Sequence, residues 1–246
     1  PAVVLARAAL SLGSPADAAR EFARARAIDP RSVEDPSTMH DLARALRLTG
    51  KRDEALVAYR ALVPRVDLLG SLDRRVAALL EAAHVAMAAA AAGGDDTRTR
   101  LLEEAAAYLR EARLRPPTQL AGDVLLSLAL ALDRAGDKAQ ADAALGSAVE
   151  AGARLRGSDY LAAIEDGLAL EALSLERSDP AGAAGKWQAF LAGEGGKGPW
   201  AAAAKARAAA LPKVAAAPAR RPGGAAGAAG AAGAAGAAGV NGRRRP

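Results

Sequence analysis

The two histidines, His40 and His84, are the side chains best suited to acid–base or metal chemistry near neutral pH. Neither has a cysteine, a second histidine or a carboxylate at a ligand spacing such as H-E-x-x-H. We therefore predict that each histidine is a surface or groove residue, and that the chain holds no metal site.

Motifs for covalent or cofactor chemistry are also missing from the sequence. The chain has no cysteine, which excludes disulfides, thiolate zinc sites and cysteine nucleophiles. It has no G-x-S-x-G elbow, no phosphate-binding loop and no dinucleotide fingerprint. The cluster at Gly93–Thr97 lacks the alternating oxygen ligands of a calcium loop, and a turn before a helix explains it better. We expect no catalytic residue and no cofactor, and hence not an enzyme.

The composition indicates which elements must position any site. Apolar residues make up 51% of the 246 residues, yet aromatic residues make up only 3%. Because alanine is the best helix former and β-sheets favour branched and aromatic residues, we expect an all-α protein. No uninterrupted apolar run reaches the roughly 18 residues that a membrane span needs, so we predict no transmembrane segment.

The chain contains an internal repeat. Three stretches align without a gap: LARAALSLGSPADAAREFARA from Leu5, LARALRLTGKRDEALVAYRAL from Leu42 and LALALDRAGDKAQADAALGSA from Leu128. In each, a Leu-Ala pair precedes a glycine by the same distance, and an alanine follows that glycine by five residues. The glycines are Gly13, Gly50 and Gly136, and the alanines are Ala18, Ala55 and Ala141. Each alanine starts an i, i+4, i+7 pattern, which is one face of a helix, so the unit is helix, glycine turn, helix.

This unit resembles the tetratricopeptide repeat, in which a leucine and a small residue precede the turn and an alanine and a large residue follow it. Small residues such as Ala6 and Ala18 stand where helices approach closely, while Phe22 or Tyr59 fills the gap to the next hairpin. Pro30 should end the second helix, because proline lacks the N–H of an interior position. The resemblance implies a right-handed α-solenoid.

Two further hairpins fit this pattern with changes. In the third, Gly93 lies twelve residues ahead of Ala105, which indicates an insertion; the fifth uses Ser178-Asp179-Pro180 as its turn. We predict a repeat domain over residues 1–212, with a capping helix at 198–211 and five hairpins at about 1–30, 37–65, 72–115, 119–153 and 159–192. Trp187 and Trp200 are expected to be packing residues.

The end of the chain differs from the rest. From Lys197 onward there are nine Lys or Arg and no Asp or Glu, so the net charge of +5 comes from this part. Residues 213–246 carry glycine at every third position from Gly224 to Gly242 and are predicted to be a disordered basic tail, with a weak collagen-like helix as the alternative. No aromatic residue follows Trp200, so no specific nucleic acid is expected as a partner.

The resemblance implies a protein-interaction scaffold whose concave groove, lined by the first helices of successive hairpins, holds a partner protein or peptide. Carried onto this chain, the groove residues are Arg7, His40, Asp41, Arg44, Arg47, Leu126, Leu130 and Arg134. A groove that is partly basic at one end and apolar at the other suits a partner with an acidic end and an apolar body. The alternatives are that these arginines only solvate a helix face, that the chain is part of a larger signalling or enzymatic protein, or that its tail binds an anionic surface or nucleic acid.

Overall fold

The computed structural model describes residues 1–155, 157 and 159–212. Within these residues the chain forms eleven α-helices and no strand, which confirms the expected all-α class. The predicted tail at 213–246 lies outside the described residues. The helices are α1 (Ala2–Ser11), α2 (Pro15–Ile28), α3 (Pro36–Leu48), α4 (Arg52–Leu62), α5 (Leu72–Ala92), α6 (Asp95–Arg113), α7 (Ala121–Arg134), α8 (Lys138–Glu150), α9 (Glu165–Leu175), α10 (Pro180–Ala192) and α11 (Ala201–Ala210).

The helices pack in the order of the chain. Five pairs form helical hairpins, namely α1 with α2, α3 with α4, α5 with α6, α7 with α8 and α9 with α10. The second helix of one hairpin also packs on the first helix of the next, most extensively for α2 on α3, α4 on α5 and α6 on α7. Helix α11 packs against α10. Adjacent helices therefore share contacts in a repeating manner, as the aligned stretches predicted.

The three aligned glycines explain the constant spacing of the repeat. Gly13, Gly50 and Gly136 have φ angles of +73°, +74° and +82°, a region that favours glycine. At the first turn, the N–H of Gly13 donates to the carbonyl of Leu10 and the N–H of Ser14 donates to that of Ala9. These bonds satisfy the last carbonyls of the helix, so a glycine at this position ends one helix and allows the next to begin.

The predicted helix ends at prolines are also confirmed. Helix α2 ends at Ile28, and Pro30 begins a short 3₁₀ turn in which the N–H of Arg31 donates to the Asp29 carboxylate. Helix α10 begins at Pro180, and the Asp179 side chain accepts a hydrogen bond from the N–H of Gly182. The third hairpin differs from the others in length, because α5 has 21 residues and α6 has 19.

Alanines at the repeated positions form the closest contacts of the core. Ala6, Ala43 and Ala129 of the first helices are fully or almost fully buried, as are their counterparts in the second helices, Ala18, Ala55 and Ala141. The first hairpin makes a small apolar cluster around Phe22 that includes Ala45 of α3, and the remaining hairpins share one larger cluster. Because these alanines leave no free space, a larger side chain at any of them should destabilise the fold by about 1–3 kcal/mol.

Helix α5 is long and apolar enough to cross a membrane if it is judged by length and composition alone. Its most apolar 18-residue window has a mean hydropathy of 1.4, but 72% of that window is buried inside the protein. The sequence prediction of no transmembrane segment considered only uninterrupted apolar runs. Helix α5 does not contain such a run, because Glu81 and His84 interrupt it. In the structure α5 is a core helix.

Candidate functional site

The eight residues predicted to line an open groove divide into two groups. Arg7, Asp41 and Arg44 reach the surface, and the side chains of the two arginines are 44% and 47% exposed. The other five are buried: His40, Arg47, Leu126, Leu130 and Arg134. The prediction that all eight face an open groove is therefore wrong for Arg47, Leu126, Leu130 and Arg134, whereas His40 lines a cavity beside Asp41 and Arg44.

The segment between α8 and α9 covers part of the first helices. Arg47 of α3 donates hydrogen bonds of 2.5 and 2.6 Å to the carbonyl oxygens of Asp159 and Leu161. Between these two residues, the Tyr160 hydroxyl donates to the Asp123 carboxylate at 2.7 Å, and burial raises the pKa of Tyr160. A chain segment thus occupies the space in which the sequence analysis placed a partner.

Glu81 of α5 is a buried carboxylate that gathers polar side chains from α3 and α4. It lies 2.8 Å from His40 Nε2, accepts a 2.8 Å hydrogen bond from the Tyr59 hydroxyl and a 3.3 Å bond from Arg47. Burial alone would raise the pKa of Glu81, but the hydrogen bond and charge of His40, the charge of Arg47 and the hydrogen bond from Tyr59 outweigh it and lower the pKa to about 2. Burial and the Glu81 charge raise the pKa of Tyr59 well above its ordinary value.

A second buried carboxylate, Asp166 of α9, has its own arginine and histidine. Arg134 of α7 donates two hydrogen bonds to it, at 3.0 and 2.5 Å, and the Arg134 guanidinium lies 4.9 Å from the Trp200 ring centre. His84 Nδ1 lies 3.9 Å from Asp166 Oδ2, and its other ring nitrogen is hydrogen-bonded to Ser127 Oγ at 2.9 Å. Burial lowers the pKa of His84, while Arg134 and His84 lower that of Asp166 despite its burial.

Ser127, His84 and Asp166 have the order of a nucleophile, a base and an orienting acid, but their geometry does not suit that chemistry. Ser127 and His84 are completely buried, and Asp166 is almost so. The distance between His84 and Asp166 exceeds hydrogen-bond length, and Ser127 lies inside α7, where the backbone N–H groups are used by the helix. A substrate therefore has no access to Ser127 in this structure, and the three side chains serve packing.

Both histidines were predicted to lie on a surface or in a groove. This is wrong for His84, which is completely buried, whereas His40 is 6% exposed but lines a cavity beside Asp41 and Arg44. Each is a buried residue that bridges helices, His40 to Glu81 and His84 to Ser127. The sequence gives no signal for this, because the partners are 41 and 43 residues away in the chain. Among the described residues, no group of three His, Cys, Asp or Glu side chains could hold a metal ion.

The exposed residues form what we call the charged patch, which consists of Arg7, Asp41, Arg44 and Arg74. Asp41 lies at its centre and accepts hydrogen bonds from Arg7 at 2.8 Å and from Arg74 at 3.2 Å. Arg44 lies 3.8 Å from Glu81, and both line a cavity of about 300 Å³ together with Asp41 and Arg74. Sequence reasoning missed Arg74, because α5 belongs to the hairpin that does not align with the others.

A larger cleft of about 750 Å³ lies between α2, α3 and α4. Its lining is mostly apolar and includes Phe22, Leu42 and Val57, with the charged residues Arg26 and Glu34 also on its walls.

Comparison of the chain with protein-family models, with curated proteins and with solved structures gave no match.

Proposed function

We propose that this protein is an interaction scaffold, built as a right-handed α-solenoid of five tetratricopeptide-like hairpins with α11 as its cap, and that it binds a partner protein or peptide at the charged patch. The regular packing of second helices on following first helices supports the architecture. The glycines with positive φ at equivalent positions support a repeated unit. No specific nucleic acid and no cofactor enter this proposal.

The observation that carries the binding role is the presence of three half-exposed arginines on three different helices, two of them paired with Asp41 and the third beside Glu81. Arg7, Arg44 and Arg74 come from α1, α3 and α5, and their side chains are 42–47% exposed. Two of them share Asp41, while Arg44 makes no hydrogen bond among the described residues and approaches only Glu81. The patch therefore has guanidinium donors left for a carboxylate of a partner.

The buried members of the predicted groove hold the patch in position. His40 and Arg47 lie on α3 with Asp41 and Arg44, and their bonds to Glu81 join α3 to α5. This connection fixes the spacing between exposed side chains of the two helices. Because this framework is rigid, the exposed arginines above it lose less conformational entropy when a partner binds.

The direct test reverses two charges of the patch. Partners captured from a cell extract by the intact chain should be recovered at least about tenfold less well by Arg44→Glu/Arg74→Glu, because carboxylates of the partner would then meet like charges. The matched control is Arg20→Glu/Arg24→Glu, which reverses two exposed charges on α2.

Two outcomes would reject the proposal. Equal recovery by the patch variant and the intact chain would exclude the patch. Loss of the same partners on deletion of Gly223–Pro246, with recovery that falls steeply as salt rises, would assign the binding to the tail instead.

A further inference from the structure

The second helices of neighbouring hairpins are joined by the same pair of repeat positions at two junctions. Between α4 and α6, Arg60 donates hydrogen bonds of 2.8 and 2.6 Å to the two carboxylate oxygens of Glu104. Between α6 and α8, Arg110 donates a 3.0 Å bond to the side-chain oxygen of Gln140. Each arginine stands five residues after the repeated alanine of its helix, and each acceptor directly precedes that alanine. The repeat thus has an arginine position and an acceptor position that together close the space between second helices.

The junction between α2 and α4 has the acceptor without the arginine. By the same alignment, Glu54 of α4 occupies the acceptor position, whereas Ala23 of α2 occupies the arginine position. Within the described part of the chain, Glu54 forms its ion pair with Lys51, 3.4 Å away and three residues earlier, and its side chain is 63% exposed against 18% for Glu104. Among these residues the Glu54 carboxylate therefore has no partner on α2.

A second side chain that fills the junction between α4 and α6 is also replaced by alanine. Tyr108 of α6 is half-buried and donates a 2.6 Å hydrogen bond to the carboxylate that Arg60 binds. Its equivalent in α4, three residues after the repeated alanine, is Ala58. Ala23, Glu54 and Ala58 all line the 750 Å³ cleft between α2, α3 and α4. The cleft therefore occupies the place that an arginine and a tyrosine side chain fill at the next junction.

The rest of the cleft is mainly apolar and lies between two complete hairpins. Among its lining residues Phe22 is completely buried, Met39 and Leu42 are half-buried and Val57 is 66% exposed. Because α1 with α2 and α3 with α4 both surround it, the cleft does not arise at an end of the hairpin series. Its volume of about 750 Å³ lies within the range of roughly 300–1,000 Å³ that ligand-binding pockets have.

Four charged side chains line the cleft, namely Arg26, Glu34, Lys51 and Glu54. Their charges cancel, so the cleft as a whole selects neither an anion nor a cation. The position of Glu54 is more selective than this sum. Its pair with Lys51 is an exposed contact within one turn and contributes little, whereas a guanidinium can form two parallel hydrogen bonds with a carboxylate. An arginine that enters the cleft is therefore the stronger partner for Glu54.

We infer that the cleft between α2 and α4 binds a segment of a partner protein that carries an arginine and a tyrosine, with the arginine paired to Glu54 and the tyrosine packed on Ala58. The two side chains take the places that Arg60 and Tyr108 have at the next junction. The tail of this chain does not supply both, because no aromatic residue follows Trp200. The site shares no residue with the charged patch and does not depend on its binding role.

A short peptide supplies the two side chains in trans. In the blocked pentapeptide AYARA the tyrosine and the arginine are two residues apart, so both lie on one side of an extended segment. Titration of the intact chain with this peptide should give saturable shifts of the Met39 and Val57 methyl resonances in NMR spectra. The peptides AYAQA and AAARA should bind about fivefold or more weakly, since each lacks one of the two contacting side chains.

Two variants test the pairing in the protein. Glu54→Gln should weaken the binding of AYARA by at least about fivefold and leave that of AYAQA unchanged, because only the charged pair is lost. Ala23→Arg/Ala58→Tyr fills the cleft with the side chains of the next junction and should abolish the binding of all three peptides. Ala107→Arg is the matched control and should bind AYARA normally, because Ala107 is exposed on α6 and does not line the cleft.

Three results would overturn the inference. The first is the absence of saturable shifts at Met39 and Val57. The second is equal binding of AYARA by the intact chain and by either Glu54→Gln or Ala23→Arg/Ala58→Tyr. The third is binding of AYARA only after deletion of residues 223–246, because the tail of the same chain would then be the occupant.

Discussion

Glu81 and Asp166 are two buried carboxylates with similar partners and different surroundings. Each lies on the first helix of a hairpin and is paired with one buried arginine and approached by one buried histidine. Asp166 is enclosed, because Arg134 lies beneath the Trp200 ring and His84 is completely buried. Glu81 is also buried, but the half-exposed Arg44 lies 3.8 Å away and Glu81 lines the 300 Å³ cavity beside the charged patch.

The difference separates a structural role from a candidate binding role in one molecule. Burying a charge costs several kcal/mol unless it is paired and hydrogen-bonded, so both carboxylates need their arginines for the fold to form. Only at Glu81 does the network end in side chains that a partner can reach. We therefore expect changes at Asp166 to alter stability alone, and changes around Glu81 to alter both stability and binding.

The largest effect is expected for Asp166→Asn. This substitution leaves the Arg134 guanidinium buried without a counter-charge, and breaking such a pair costs about 3–5 kcal/mol. Urea unfolding monitored by circular dichroism measures the loss of free energy of unfolding. The double variant Arg134→Met/Asp166→Leu is the control, because removing both charges should restore most of the stability; a double variant as unstable as Asp166→Asn would show that the ion pair is not the cause.

Acid should destabilise the protein through Glu81 by a similar amount. With a folded pKa of about 2 and an ordinary value of 4.5, Glu81 stays ionised below pH 4.5 while the unfolded chain takes up a proton. Stability that is present above pH 4.5 is therefore lost as the pH falls towards 2, by about 3 kcal/mol. Unfolding free energies measured at pH 5, 4 and 3 test this slope, and Glu81→Gln should flatten it. An unchanged slope in Glu81→Gln would assign acid sensitivity to other groups.

His84 adds a pH effect of the same sign in a higher range. Burial lowers its pKa from the ordinary value of 6.5, so the unfolded chain takes up this proton at a higher pH than the folded chain does. Stability should thus begin to fall as the pH drops below 6.5, before Glu81 contributes. In His84→Asn, the free energy of unfolding should be the same at pH 6.5 and pH 5.5, whereas the parent chain should lose stability between them.

Much of the fold could be predicted from the sequence, since local patterns carry it. The leucine-to-glycine-to-alanine spacing located the turns because only glycine is comfortable at the positive φ of Gly13, Gly50 and Gly136. Pro30 and Pro180 marked a helix end and a helix start for equally local reasons.

The candidate site could be predicted only in part, because its geometry depends on distant segments. Arg44 and Arg47 look alike in sequence and lie only about 60° apart around α3. One is half-exposed, whereas the other is enclosed by carbonyls of Asp159 and Leu161, from a segment with no periodic pattern. Nothing local distinguishes the two arginines, so the groove prediction included both.

A smaller effect is expected for Glu81→Gln at neutral pH, although it removes a buried charge. Arg47 keeps its bonds to the two backbone carbonyls, and the glutamine oxygen can still accept from Tyr59, so we expect a loss of about 1–3 kcal/mol. Urea unfolding beside Asp166→Asn makes the comparison direct. If Glu81→Gln destabilised the protein as much as Asp166→Asn does, the backbone carbonyls bonded to Arg47 would not compensate for the lost carboxylate charge.

The smallest effect on stability is expected within the charged patch, where solvent screens the ion pairs. Arg7→Ala removes the 2.8 Å contact with Asp41, but Arg74 continues to pair with that carboxylate and both arginines are nearly half-exposed. Such pairs contribute about 0.2–1 kcal/mol, and the loss should shrink further as salt is raised. Unfolding measured at low and high salt tests this, while partner recovery by the same variant reports on binding. A loss above about 2 kcal/mol that salt does not reduce would mean that Arg7 supports the fold, in the way Arg134 does at the enclosed carboxylate, and would remove it from the proposed binding surface.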